Sequence, residues 1–323
     1  MAQLQNFAYT GNRIEERVAA SSTITRQIRR DNIPITTLSA EPFNGLAVVR
    51  YDGIVRNLFT ENRIPLRPEN GEAWVDDMLC VRTTIDGATY TFVRGVAQVG
   101  EPQVATQFRF LTTLPKVYCY RGYEHTLCLA VSDDLDSYSL RVDAADYIGH
   151  LEMLAQGHAV IVINPTDIHD YAERCTFDIF NREEVVVEDS IKKENKPIPD
   201  RPFYIRWIND LGGYDYWMFS CKQKHSIALA SVSTYEVYED EGVQHQYDKQ
   251  ASYTIETSSG LVDAQTLKAL SRLPFSPDIR WYDEKSGEWV KVTMPATTFD
   301  YMSDQPTGEY IATFILPTPN INQ

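Results

Sequence analysis

Long apolar runs are missing from this sequence. The longest uninterrupted aliphatic stretch, Ala159–Ile163, falls far short of the roughly 18 residues that mark a membrane-spanning helix. Glycine and proline are also scarce, 16 each in 323 residues, which excludes collagen-like and linker-dominated chains. The five cysteines (Cys80, Cys119, Cys128, Cys175 and Cys221) are odd in number and widely spread. That is a poor disulfide framework and fits a reducing compartment. Positive charge is in deficit: 30 Lys+Arg stand against 45 Asp+Glu, for a formal charge of −15 and a pI near 4.8. A dedicated nucleic-acid binder needs the opposite balance to displace phosphate counterions. The first residues show no basic segment followed by an apolar core, so no secretory signal is expected there.

What is present is ordinary in amount, with 43% apolar and 23% charged residues, and the length suits two or three domains. The charge, however, is uneven. Residues 1–30 hold five arginines (Arg13, Arg17, Arg26, Arg29, Arg30) and two glutamates, net +3, which leaves 25 basic against 43 acidic residues, net −18, for the remainder. The first 40 residues are polar and lack a sustained period. Ile14, Val18 and Ala19 predict one short helix over 13–20. Residues 1–40 therefore read as an N-terminal arm. It either pairs with a neighbouring subunit's acidic surface or is a solvated polar tail.

From Phe43 the sequence changes to short runs rich in Val, Ile, Thr, Tyr and Phe. Asp52-Gly53 and Asp86-Gly87, each flanked by such runs, predict two tight hairpins, and residues 41–113 read as a small β domain. Residues 114–200 carry strand-like runs at 116–120, 126–131, 138–142, 158–163, 175–180 and 184–188, which suggests a sandwich. A helix is conceivable only over 144–156. The charged, proline-containing stretch 192–202 reads as a linker. Residues 201–323 form a last β domain, with strands near 203–208, 214–221, 226–231, 234–238, 251–257, 278–282, 289–294 and 310–316. Within it, Asp263 caps a short helix whose stripe is Leu267, Leu270 and Leu273, and Pro274 stops it. The fold class is thus mainly β: several small antiparallel sandwich or barrel modules, a short helix near 263–273 and an extended N-terminal arm.

Signals of chemistry are weak. Cys119, His125 and Cys128 are three soft ligands where a closed zinc site needs four. Ser132–Asp136 and Glu239–Gly242 read as exposed turns, since neither has the Gly and terminal Glu of a calcium loop. There is no G-x-S-x-G, no H-E-x-x-H and no phosphate-binding G-x-x-x-x-G-K-[ST]. Paired carboxylates for glycoside hydrolysis are set in space, so sequence does not locate them. No metal or cofactor is expected.

The densest stretch runs from Pro202 to Phe219. Large groups alternate on both faces of the first strand, Asn209-Asp210-Leu211-Gly212-Gly213 reverses the chain, and Tyr214, Tyr216 and Phe219 return antiparallel. Two readings stand. Trp207, Tyr214, Tyr216 and Trp217 form a platform for stacking a sugar or a protein surface, or the hairpin is packed between two layers.

The stretch Ile205-Arg-Trp-Ile-Asn-Asp-Leu-Gly-Gly-Tyr-Asp-Tyr-Trp-Met-Phe219 is similar to a segment of tail and baseplate structural proteins of phages and prophages from gut Bacteroidetes. The downstream order, a short helix, Ser276-Pro277 and closing strands, extends the resemblance over roughly residues 203–316. More weakly, the strands from Leu114-Pro115 resemble immunoglobulin-like modules. The resemblance implies a non-enzymatic tail hub, ring or baseplate component, built in the host cytoplasm and resident in the virion tail. It implies no cofactor and no catalytic residues. Its partners would be copies of itself and other virion proteins. No membrane segment and no sequence-specific nucleic acid are expected, and passive contact with passing DNA is left open. The alternatives are a carbohydrate- or surface-binding β module and, behind it, a glycan-active enzyme.

Overall fold

The computed structural model describes residues 7–59, 73–96, 109–131, 138–142, 145–147, 159–163, 176–181, 186–219, 221–236, 244–295 and 306–317. The chain divides into two compact units, Met1–Pro197 with Ile208–Asp215, and Ile198–Trp207 with Tyr216–Gln323. Both are mainly β.

The first unit begins with β1 (Phe7–Tyr9), β2 (Glu15–Ala19), β3 (Ile24–Arg30), β4 (Ile33–Ala40), β5 (Leu46–Arg50) and the short helix α1 (Asp52–Asn57). It continues through β6 (Ala73–Val75), β7 (Cys80–Ile85), β8 (Ala88–Val93), β9 (Arg109–Phe110), β10 (Val117–Tyr120) and β11 (Leu127–Val131). Then follow β12 (Tyr138–Val142), β13 (Ala145–Tyr147), β14 (Ala159–Ile163), β15 (Thr176–Asn181) and β16 (Val186–Lys196). One sheet has the order β1-β8-β7-β3-β4 and lies over the pair β2-β5. Ile14, Ile28, Val49, Tyr51, Val55 and Phe92 fill the space between. Two further sheets, β10-β16-β15-β12-β13 and β6-β14-β11-β9, form a sandwich around Val117, Cys119, Leu129, Ile161 and Phe177. Strictly alternating inward positions, as in Val117 and Cys119, give the period of two that this burial requires.

Residues 1–40 are not an arm. From Phe7 onward they supply four strands, and Tyr9, Ile14 and Ile28 are core. Their polarity misleads because β3 buries only Ile28 fully, exposes Arg29 and half-buries Arg26 and Arg30 in ion pairs, a pattern too polar and too short to register as a period. The turn between β3 and β4 is Asp31-Asn32, both at positive φ (49° and 66°), a mirror-type hairpin turn made without glycine. The helix expected over 13–20 is instead strand β2, paired antiparallel with β5.

The two Asp-Gly signals have different outcomes. Asp86-Gly87 closes the β7–β8 hairpin with φ of 49° and 88°. Asp52-Gly53 opens helix α1, because β5 pairs with β2 rather than with the residues after the turn, and Asp52 Oδ1 accepts the Ile14 N–H at 3.0 Å. The expected linker is strand over its first half. β16 runs to Lys196 between β10 and β15, with Lys193 buried, so only 197–202 lies outside a strand. Sheets also cross the boundaries expected at 40 and 113: β3 pairs with β7, and β6 with β14. Of the helix considered over 144–156, residues 145–147 are strand β13 and the rest lie outside the described residues.

The second unit contains most of β17 (Phe203–Ile208) and of β18 (Tyr214–Phe219), whose turn-side residues Ile208, Tyr214 and Asp215 belong to the first unit. Then follow β19 (Cys221–Glu236), β20 (Gln244–Asp263), α2 (Ala264–Leu270), a 3₁₀ turn at Leu273–Phe275, β21 (Ile279–Asp283), β22 (Glu288–Val292) and β23 (Thr307–Leu316). The sheets β18-β17-β21-β22 and β19-β20-β23 are linked by the bridge Thr293↔Ile315. Asp263 caps α2 as expected, accepting from Thr266 N at 2.8 Å. Leu267, Leu270 and Leu273 are buried.

Candidate functional site

The turn 208–215, the heart of the densest sequence stretch, belongs to the first unit and is held there on every side. Asn209 organises it: its Oδ1 accepts from Leu211 N (2.9 Å) and Gly213 N (3.2 Å), while Nδ2 donates to Leu111 O (2.9 Å). Val96 N donates to Asp210 O at 2.7 Å, and Tyr214 OH to Asp76 Oδ2 at 2.8 Å. Gly212 sits at φ +84°, and a Cβ on Gly213 would overlap Leu111 O and Cβ, so backbone meets backbone where a side chain has no room.

Asp215 completes the lock. Its carboxylate accepts from Thr112 Oγ1 (2.5 Å), Thr113 Oγ1 (2.5 Å) and Thr113 N (3.0 Å). Burial raises its pKa, and the hydrogen bonds from the two threonines pull the other way. A carboxylate this enclosed, with its acceptors occupied by neutral donors, braces a loop. It does not face a substrate.

The four aromatic candidates are core. Trp207, Tyr214, Tyr216 and Trp217 are all at most 5% exposed. The sequence is right that both faces of β17 carry large groups, and both faces are covered. On one, Tyr204 meets Tyr216 and Trp289 at centroid distances of 5.9 and 5.5 Å, with the Arg206 guanidinium 4.9 Å from the Trp289 ring. On the other, Phe203 stacks on Trp281 and meets Phe314 at 5.0 Å. An open stacking platform is therefore excluded, and the packed hairpin is what the sequence builds. Ring pairs of this kind add stabilisation beyond area burial alone.

The five arginines are engaged within their own unit. Arg26 forms two parallel bonds to Glu16 (2.9 Å each) and reaches Asp86 (3.1 Å). Arg30 donates to Leu58 O (2.8 Å) and Asp77 (3.0 Å). Arg13 and Arg17 share Glu15, and Arg29 donates to Gln27. The Arg26 hydrogen bonds hold Glu16 below the usual carboxylate range, and Tyr51 OH donates to the same group. Glu15 and Glu16 are already counted in the net +3; of that excess, Asp77 and Asp86 answer two charges, and Arg29 bonds the neutral Gln27.

Among the described residues no three His, Cys, Asp or Glu side chains are placed to hold a metal ion. Cys119 lies in the sandwich core, and Cys128 Sγ accepts from Tyr214 N at 3.2 Å. Burial pushes the Cys80 thiol up to about 12, far from reactive thiolate. Ser132–Asp136 and Glu239–Gly242 lie outside the described residues. No described helix is long and apolar enough to cross a membrane.

One feature escapes the sequence reading. The runs expected as separate strands over 226–231 and 234–238 belong, as far as Glu236, to a single strand β19, paired with β20 from Cys221↔Ser258 to Glu236↔Gln244; residues 237 and 238 lie outside the described residues. The absence of Gly, Pro, Asn and Asp between Cys221 and Glu236 was the available signal. The third strand, β23, covers β20 only over Tyr253–Asp263. Among the described residues, the ladder from Ala228↔Ser252 to Glu236↔Gln244 therefore continues as a two-stranded ribbon, about 30 Å long at the usual strand rise. All described side chains of Lys224–Ala228 are exposed.

No protein-family model and no curated protein sequence matches this chain. Among solved structures, the chain shows a slight likeness to the I9–I11 tandem from titin, at 10% identity over 80% of this chain and 95% of that one, with a TM-score of 0.18.

Proposed function

We propose that this chain is a structural subunit of a phage tail, a hub, ring or baseplate component that works by assembling with copies of itself and with other virion proteins. The observation that carries the reading is the β19–β20 ribbon. An isolated two-stranded ribbon is marginal in water, and a third strand or a packed layer is needed to hold it. A chain that extends one beyond its own third strand is built to be completed by a neighbour. The resemblance of 205–219 to tail and baseplate proteins supplies the class of assembly. The aromatic hairpin supports the same reading from the other side, since its conspicuous residues serve the fold rather than a ligand.

Mass photometry of the full chain over a concentration series tests this. Discrete species of several copies are expected. A strict monomer that stays monomeric beside its neighbouring tail proteins, and is retained on a glycan array, would overturn the reading in favour of a binding module.

A further inference from the structure

The order β19-β20-β23 leaves one edge of β19 without a strand among the described residues. Natural edges are guarded by charge, proline, bulges or short length. Ser226–Tyr235 is not short and carries neither charge nor proline: ten consecutive residues have no Asp, Glu, Lys, Arg, Pro or Gly, and the only irregularity is the register shift to β20 at Ser231–Thr234. Ile227 within it is 63% exposed. Charge sits instead at the two ends of the run, and with opposite sign. Lys222 and Lys224 precede it, and Glu236 follows it.

That polarity makes the edge complementary to itself in one orientation. If two copies pair antiparallel with Ala230 opposite Ala230, Lys224 stands opposite Glu236 of the partner subunit, and the same pair recurs at the other end. An in-register parallel pairing would set lysine on lysine and glutamate on glutamate. Opposite charges directly across a ladder stabilise it, and like charges destabilise it.

We propose that β19 is a docking edge for a second copy of this chain, paired antiparallel about Ala230. Two three-stranded sheets then become one six-stranded sheet across a two-fold axis, and each ribbon gains the third strand it lacks. This rests on the assembly reading above and names the partner and register at that site.

Charge reversal in the full chain tests it. Within its own ladder Glu236 faces Gln244, so Glu236→Lys creates no like-charge pair inside the chain; Lys224 faces Glu256, so Lys224→Glu needs a thermal-unfolding control. In sedimentation equilibrium each single reversal is expected to weaken self-association about tenfold. An equimolar mixture of the two variants re-creates both opposite-charge pairs and should return to within about twofold of the unaltered chain, with the contrast shrinking in high salt. Association that ignores both reversals would overturn the edge while leaving the assembly reading intact. Failure of the mixture to recover would overturn the register. An unaltered chain that never self-associates, including one that captures only another protein's strand, would overturn the proposal itself.

Discussion

Two hairpins in this protein carry opposite lessons. The turn 208–215 is crowded with aromatic, glycine and amide residues, and nearly every polar group in it has a partner at 2.5–3.2 Å. The ribbon β19–β20 is plain in sequence and, among the described residues, reaches past its third strand with an open edge. Conspicuous residues mark where the chain must satisfy itself. A plain strand free of charge and proline marks where, on our proposal, a second copy completes the sheet.

The contrast is sharpest in stability. Trp217→Ala removes a buried indole and should cost about 3–5 kcal/mol in denaturant unfolding, whereas Ile227→Ala, on the exposed ribbon, should stay within about 0.5 kcal/mol. Comparable costs at the two sites would erase the distinction. Next in size, Gly213→Ala forces a methyl group into the Leu111 backbone and should destabilise by about 3 kcal/mol. A neutral result would mean the turn is not closely seated.

The sequence carried much of this fold and little of its long-range pairing. Alternation and turn residues located β7–β8, β11, β14, β17 and the capped α2, because each is a local pattern with its own punctuation. The N-terminal strands were hidden because β3 buries one residue, Ile28, fully and half-buries Arg26 and Arg30 in ion pairs whose partners lie far off in sequence or across a turn, so that its sequence resembles a polar tail. Helix α1 was hidden because the pairing of β5 with β2 is a non-local choice that Asp52-Gly53 does not encode. Of the candidate residues, Trp207, Tyr214, Tyr216 and Trp217 were found for the right reason, density and size, and given too external a role. Whether an aromatic hairpin is core or platform depends on what lies against it, as Leu111, Cys128 and Asp76 lie against the turn. Those residues are far away in sequence.

Smaller effects separate the buried carboxylate Asp215 from the half-buried Glu194. Burial raises the Asp215 pKa, so the native state holds that proton more tightly than the unfolded chain. Its contribution favours folding below the usual carboxylate range and is lost as pH rises. Asp215→Asn keeps an acceptor without the charge, so its stability relative to the unaltered chain should rise between pH 4 and pH 7 in thermal unfolding. A difference independent of pH would contradict this. Glu194 runs the other way. Hydrogen bonds from Lys116 and Lys196 lower it from 4.5 to about 2, so its stabilisation is complete above the usual carboxylate range and disappears as pH falls through about 2. Because these lysines are well exposed, Glu194→Gln should cost no more than about 1 kcal/mol at pH 7 and nothing near pH 2.

Hydrogen exchange of the full chain, compared as monomer and as assembly, tests the central contrast most directly. Amides of 208–215 should be protected in both states, while those of Ala228–Glu236 exchange rapidly in the monomer and become protected only on assembly. Ribbon amides equally protected in the monomer, or turn amides that exchange freely, would contradict the account.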